Sequence, residues 1–285
     1  MEFDKKFFNF VDQAVQEDIG SGDHSTLACI PQSAMGAAAL KIKQAGVLAG
    51  VAVAEKIFSY KSAHSKFTVL INDGKEVTSG EIAFTVESDI HSILHLERIV
   101  LNCMQRMSGI ATLTKQYSDK LKGFNTKLLD TRKTTPNFRL LEKEAVRIGG
   151  GENHRFGLYD MIMLKDNHID FCGGIENTIL KAADYVQSKN LNIKIEVETR
   201  NLEEVKKVIN VGKRKVFRVM LDNFTPTQLI EAIRMIGDDF ETEASGGINL
   251  ENIEEYAKTG VNFISVGALI HQAKSLDFSL KAVIK

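Results

Sequence analysis

Cysteine is scarce in this chain of 285 residues: there are three, Cys29, Cys103 and Cys172, far apart in sequence. No two are spaced as C-x-x-C, and none sits in a Cys/His zinc spacing, so a disulfide scaffold and a zinc module are excluded. Free cysteine is most often a buried residue, and these three are expected to be reduced thiols, mostly buried. An excess of one charge is missing too. Thirty-six Lys+Arg against 37 Asp+Glu leave a formal net charge of −1, and such a chain has no overall basic field to hold nucleic acid or an anionic membrane. Nor does any apolar run approach the ~20 residues that span a bilayer. The opening MEFDKKFFNFVDQAVQEDIG is acidic and amphipathic, without the apolar core of a signal peptide. A soluble, cytoplasmic protein is expected.

Apolar residues make up 44% of the chain, enough for a real core, and the length allows one large α/β domain and a smaller one. Phe3, Phe7, Phe10, Val11, Ala14 and Val15 recur near helical spacing. After the turn-rich EDIGSGDHST come β-like runs, AAALKIKQAGVLAGV, FTVLIND and EIAFTVES. A helical run through Ile93, Leu96, Ile99, Val100 and Cys103 then closes a first domain, residues 1–107. From 108 to 285 the rhythm changes. Short apolar strands alternate with helical segments: 127–130, 161–166, 193–199, 216–223, 240–245 and 263–269. Alternation of this kind implies parallel βαβ units and a βα barrel. Six strands are clear, and a seventh is expected near Met107–Thr114, which leaves the barrel incomplete.

Five of the six strands in succession end in polar residues: Asp130-Thr131-Arg132-Lys133, Lys165-Asp166-Asn167-His168, Glu196 and Glu198, Asp222-Asn223, and Ser245-Gly246-Gly247. The carboxyl ends of barrel strands converge on one mouth, where barrel enzymes do their chemistry. Positive charge is concentrated there, in Arg132, Lys133, His154, Arg155 and Lys165, with GGGEN just before His154. Arginine grips carboxylate or phosphate through paired hydrogen bonds, and lysine adds a mobile point charge. Arg139, Lys143 and Arg147, spaced by four with Glu142 and Glu144 beside them, read instead as one solvated or supporting helix side. EASGGI (243–248) and ISVGAL (264–269) end the last two strands in small residues whose amides suit a phosphate. Glu196 and Glu198 project to the same side of their strand. A buried carboxylate pair needs a partner such as Mg²⁺, a sugar hydroxyl or a lysine, and Asp222 is placed to join it.

DTRKTTP (130–136), AVRIGGGENHR (145–155), MIMLKDNH (161–168), IEVET (195–199), LDNF (221–224) and EASGGI (243–248) resemble the quinolinate phosphoribosyltransferases in order and spacing. ERIVLN, SGIAT and EDIGSGD fit the same pattern; IHQAKSLD (270–277) is a looser match. The resemblance implies a decarboxylating transfer of phosphoribosyl from phosphoribosyl pyrophosphate (PRPP) to the ring nitrogen of quinolinate. The products are nicotinate mononucleotide, CO₂ and pyrophosphate, in NAD biosynthesis with Mg²⁺. It implies an N-terminal open α/β sandwich and an incomplete, seven-stranded α/β barrel, with the last residues packing back on the first domain. It implies a homodimer, or a hexamer built from dimers, in which Arg98 enters the neighbouring site. Arg132, His154 and Arg155 are then expected to hold the quinolinate carboxylates, and Lys133 and Lys165 to lie by the carboxylates and pyrophosphate. Glu198 and Asp222 would hold ribose hydroxyls and Mg²⁺, and Ser245, Gly246, Gly247 and Gly267 the 5′-phosphate. Asp166 and His168 belong to the signature without an assigned role.

Both substrates are polyanions. Two like charges ~4 Å apart repel by about 4 kcal/mol at an effective dielectric of ~20, so the reaction needs this many cations. Three rivals are weaker. A Schiff-base enzyme on Lys165 has no use for so many arginines. A homologous transferase with another substrate, such as the relatives linked to molybdenum transport, has no need of the full basic set from Arg98 to Lys165. A non-catalytic anion binder has no reason to keep Glu198 and Asp222.

Overall fold

The computed structural model describes residues 2–283; of the opening helix, the side chains of Glu2 and Phe3 lie outside the described residues. In chain order the elements are α1 (Glu2–Ile19), α2 (His24–Cys29), β1 (Met35–Ile42), β2 (Gly46–Val47), α3 (Val51–Lys61), β3 (Lys66–Val69), β4 (Glu76–Val77), β5 (Ile82–Asp89) and α4 (Ile90–Lys120). There follow β6 (Lys127–Leu129), α5 (Arg139–Ile148), β7 (Met161–Leu164), α6 (Asp166–Cys172), α7 (Ile175–Ser188), β8 (Lys194–Thr199) and α8 (Leu202–Gly212). The chain finishes with β9 (Arg218–Asp222), α9 (Pro226–Ile236), β10 (Glu241–Ser245), α10 (Ile253–Ala257), β11 (Phe263–Ser265), α11 (Ala268–His271) and β12 (Phe278–Ala282). No helix among the described residues is long and apolar enough to cross a membrane.

Two compact units result, and they interleave along the chain. The first takes residues up to Lys115, Thr134–Gly150, and the chain from Gln272 onward; the second takes Gln116–Lys133 and Gly151–His271. The first unit is built on an antiparallel sheet in the order β12-β1-β5-β3. Phe7 and Val11 of α1, Ile57 and Phe58 of α3, and Leu40, Ile42, Phe84 and Val86 of the sheet are all buried. Each such side chain contributes roughly 1.5–3 kcal/mol by leaving water. Phe67 stacks on Phe84 with ring centroids 4.3 Å apart, and Phe8 of α1 meets Tyr60 of α3 at the same separation.

Asp89 starts α4 by accepting the Ser92 N–H at 2.8 Å. The helix then runs unbroken to Lys120, so the strand expected near Met107–Thr114 does not exist. The reason is periodicity: Met104, Met107, Ile110, Ala111 and Thr114 are all buried and continue the three-and-four spacing of Ile93, Leu96 and Val100. The glycine of SGIAT has a packing role, since a Cβ on Gly109 would collide with the Lys274 carbonyl.

The cysteines depart from expectation as well. Cys103 on α4 is buried, but Cys172 is only half-buried and Cys29 is exposed. The latter two end short helices that each bury a single residue, Thr26 in α2 and Ile169 in α6.

The second unit is a six-stranded parallel sheet in the order β6-β11-β10-β9-β8-β7. A single parallel bridge from Leu129 to Glu152 is the further pairing on β6, outside the named strands. On the strands from β8 to β10, Ile195, Val197, Val219, Leu221 and Ala244 alternate with Glu196, Glu198, Arg218, Asp222, Glu243 and Ser245. Register sets Glu198 level with Met220 and Ser245 level with Asp222. Charged residues therefore share one face, and they meet one another across the strands.

Candidate active site

Lys165 follows β7 directly, and the pairing of Leu164 with Val197 brings it level with Glu198. Its Nζ donates to Glu198 Oε2 at 2.7 Å. His168, whose role the sequence left open, accepts the Lys165 backbone N–H on Nδ1 at 3.0 Å. This capping contact fixes where the lysine leaves the strand. One strand along, Asp222 accepts from Ser245 Oγ and from Asn223 Nδ2, each at 2.6 Å.

Ser245 leads into Gly246 and Gly247, both with positive φ (90° and 65°), a region that glycine enters without steric cost. A Cβ on Gly246 would collide with Asn223 Oδ1. At Gly267 the nearest atom to an added Cβ is Lys133 Cδ, 2.9 Å away. Lys133 therefore lies over the turn that ends β11. Lys133, Lys165, Glu198, Asp222, Ser245, Gly246, Gly247 and Gly267 are thus gathered at the carboxyl ends of the strands in the second unit.

Arg132 and Arg155 both belong to the second unit. Burial and then the positive charge of Arg132 hold the Arg155 guanidinium below its ordinary pKa. Two cations placed together in a half-buried position favour an anion that neutralises both. The Arg155 guanidinium is aimed by a hydrogen bond from Nη1 to the Met161 carbonyl, 3.0 Å.

His154 is buried. Its side chain is 4% exposed, and Nε2 lies 2.9 Å from Glu196 Oε2 and 3.4 Å from Glu243 Oε2. Nδ1 accepts the Arg155 backbone N–H at 2.7 Å. Both ring nitrogens thus lie beside protein groups. Burial lowers the His154 pKa, but the two carboxylates outweigh it and lift it to about 9. Burial and the charge of Glu243 raise Glu196 to about 7. Imidazole and carboxylate thus compete for one proton. The Arg155 N–H decides the issue at Nδ1, because a protonated Nδ1 would oppose donor to donor.

Sequence reasoning missed Arg218 and Glu243 in this assembly and gave Asp130 no role beyond its place at a strand end. Asp130, fully buried, accepts the His154 N–H at 2.8 Å and Asn153 Nδ2 at 2.7 Å. Arg218 donates from Nη1 to Glu243 Oε2 at 2.9 Å and from Nη2 to Glu241 Oε2 at 2.8 Å. Their signal was available: Arg218 and Glu243 stand two residues before Met220 and Ser245, on the face that carries Asp222.

The other basic candidates belong to the first unit. Arg98 is exposed on α4. Arg147 pairs with Glu144 on the surface of α5, as a solvated helix side would, and Arg139 Nε donates to Thr134 Oγ1 at 2.9 Å. Lys143 is buried, as is Glu142, which Arg106 grips through Nε and Nη2; that part of the helix side is not solvated.

Residues 110–281 match the sequence profile described as quinolinate phosphoribosyl transferase, C-terminal domain, and residues 23–108 match the corresponding N-terminal domain. The chain is 44% identical over 281 residues to the chloroplastic nicotinate-nucleotide pyrophosphorylase [carboxylating] of Arabidopsis thaliana, covering 94% of this chain and 80% of that one. It is 40% identical to the probable nicotinate-nucleotide pyrophosphorylase [carboxylating] of Bacillus subtilis, covering 94% and 90%. In three dimensions it is similar to the crystal structure of NadC from Streptococcus pyogenes, with TM-score 0.89, 38% identity and coverage of 97% and 96%.

Proposed function

Because the chain belongs to the quinolinate phosphoribosyltransferase family, we propose that the charged mouth of its parallel sheet is where quinolinate and PRPP are joined. The observation that carries this is the gathering of the Lys165–Glu198 and Asp222–Ser245 pairs at the carboxyl ends of the strands, on the unit that also holds Arg132 and Arg155. Cations suit the carboxylates of a dicarboxylate, and the paired polar groups suit a phosphorylated sugar. Arg132 and Arg155 hold the quinolinate carboxylates. Lys133 and Lys165 neutralise the carboxylates and pyrophosphate, and Glu198 and Asp222 take the ribose hydroxyls. The Ser245-Gly246-Gly247 turn and Gly267 take the 5′-phosphate on backbone amides.

The quinolinate nitrogen attacks C1′ of PRPP as the C1′–oxygen bond breaks and its electron pair leaves with pyrophosphate. Glu198 and Asp222 stabilise the positive charge that gathers at C1′. In the quaternised ring the adjacent carbon–carboxylate bond then breaks. CO₂ departs, its electron pair stays on the ring carbon next to the positive nitrogen, and a proton from water replaces it. No protein nucleophile is required. Fixed orientation and charge compensation are what the protein supplies.

Two carboxylates on neighbouring strands suit Mg²⁺, but each already accepts from a protein donor. Glu198 and Asp222 would therefore hold the ion together with water or substrate oxygens, as this hard cation prefers. When bound, Mg²⁺ supplies positive charge to the departing pyrophosphate.

The assembly we propose is a homodimer in which Arg98 of one copy enters the site of the other. It is supported by the exposure of Arg98 on α4, a guanidinium with room to reach outward. Mixing inactive Arg98→Ala and Arg132→Ala proteins should then restore activity. A mixture as inactive as its parts would reject the shared site.

The deciding assay supplies purified protein with quinolinate, PRPP and Mg²⁺, follows nicotinate mononucleotide by mass, and runs nicotinate in parallel. Product from quinolinate alone is expected. Product from neither acid would overturn the substrate assignment, and an unchanged quinolinate affinity in Arg132→Ala would remove that residue from the site.

A further inference from the structure

Few groups hold α6 in place, although it opens on a residue of the site. It is seven residues long, too short to be a stable helix by itself, and Ile169 is its one buried side chain. Lys165 stands immediately before it, and Gly173 and Gly174, both at positive φ, stand immediately after. Phe171 is 91% exposed, so apolar packing does little to seat the helix. Its seat is electrostatic. Asp170 Oδ1 and Oδ2 each accept from the Arg200 guanidinium at 3.1 Å, the paired geometry that makes such a contact strong and directional. Arg200 is itself braced from behind. Buried Glu204 accepts Nε and Nη2 on one carboxylate oxygen, at 2.9 and 2.6 Å, and the Arg200 backbone N–H on the other, at 2.8 Å. Glu204 belongs to the first turn of α8, whose N-cap, Asn201, accepts its N–H.

The Lys165–Glu198 and Asp170–Arg200 pairs join the same two stretches of chain. Asp170 follows Lys165 along α6, and Arg200 follows Glu198 just past the end of β8. The first pair does not survive binding, because pyrophosphate draws Lys165 to itself and ribose hydroxyls occupy Glu198. At that moment α6 loses one of its ionic anchors, just when its lysine has to be placed. The second pair is made of other groups and persists. We propose that Arg200 is a positioning residue for Lys165: braced on Glu204, it holds Asp170 and so keeps α6 seated while substrate draws Lys165 from Glu198. The proposal rests on the reading of Lys165 as a cation for pyrophosphate. It assigns Arg200 no contact with substrate.

Asp170→Asn is the direct test, because Asp170 is exposed and the variant leaves the Arg200–Glu204 contact in place. Amide hydrogen exchange should be faster across residues 166–174, where α6 and its closing turn lie, with peptides from β8 and β9 unchanged. Initial rates with quinolinate, PRPP and Mg²⁺ should show kcat/KM for PRPP lowered about fivefold, the factor that an exposed ion pair amounts to. The same substitution in a Lys165→Gln background should lower that constant by less than about twofold, since a latch that works only through Lys165 has nothing left to place. Arg200→Lys should resemble Asp170→Asn, because an ammonium lacks the planar fork that meets two carboxylates at once. Unchanged exchange at α6, an unchanged rate, or the full loss in both backgrounds would overturn the proposal and leave the pair as a surface contact. Lys165→Gln alone tests the underlying reading. If it leaves kcat/KM for PRPP intact, the reading of Lys165 fails; if it lowers that constant while Asp170→Asn alters neither exchange nor rate, only the latch fails. Should Arg200→Lys not fold, Asp170→Asn still decides.

Discussion

Lys165 and Glu198 meet end to end across two parallel strands, Nζ to Oε2 at 2.7 Å, with the lysine side chain 45% exposed and the glutamate 11%. The lysine end is open to solvent while Glu198 is buried, so the pair adds only modestly to stability, about 1 kcal/mol. Its value is as a prepared arrangement, a cation for pyrophosphate beside an anion for the ribose. Lys165→Gln should therefore lower kcat by about 10²–10³, the usual loss for one preorganised charge, while shifting the urea midpoint only slightly. Circular dichroism and initial rates on the same preparation check both halves. A variant that loses activity and stability together would show that the lysine serves the fold.

Arg218 is the opposite case. It is buried and neutralises Glu243 and Glu241, and its guanidinium centre sits 3.9 Å from the centroid of the Phe263 ring. Arg218→Met would strip the buried Glu243 of its guanidinium partner, at a cost of up to about 3–5 kcal/mol. The double variant Arg218→Met with Glu243→Gln should recover part of that loss, since the stranded charge goes with it. Urea denaturation of the single and double variants measures this. Strict additivity of the two substitutions would contradict the pairing.

These two contrasting pairs show where sequence reading succeeds. Lys165, Glu198, Asp222 and Ser245 were legible because each stands at a strand end, where alternation and position together fix direction. Arg218 and Glu243 obey the same alternation, yet a charge in mid-strand reads as an edge or a solvent face until its partner is known. The partner comes from another strand, about 25 residues away, and only the register reveals it. The surroundings of His154 were hidden for a related reason. A histidine beside an arginine suggests a shared ligand, and nothing in the sequence shows that its ring also lies beside Glu196. The stretch from Met107 to Thr114 was ambiguous because a short apolar run fits either period. Only its continuity with the preceding helix decides between them.

Gly246 and Gly247 offer a matched pair. Both have positive φ, but a Cβ at Gly246 meets Asn223, whereas one at Gly247 meets nothing within 4 Å. Gly247→Ala should cost only the backbone strain, about 1–2 kcal/mol. Gly246→Ala must also displace Asn223, which hydrogen-bonds Asp222. The expected outcome is a clear rise in the PRPP KM for Gly246→Ala and a smaller one for Gly247→Ala. The reverse order would mean that the turn does not hold the phosphate through the geometry described.

The cysteines allow a test of packing that is independent of catalysis. Burial pushes the Cys103 thiol up to about 12, and the thiolate is the reactive form. At pH 8 only about one Cys103 in 10⁴ would be ionised, and raising the pH to 9 still leaves it about three units short of its pKa. Cys29 is exposed and Cys172 half-buried. A thiol reagent applied to the native protein at pH 8 should therefore modify Cys29 fast and Cys172 more slowly, leaving Cys103 untouched until denaturant is added. Peptide mapping by mass identifies which cysteine has reacted. The pH adds a second check: between pH 7 and 9 Cys103 should stay silent, because access, not ionisation alone, limits it. Rapid labelling of Cys103 in the folded protein would mean that α4 opens around Met104 and Met107, and the packing described for the first unit would then be wrong.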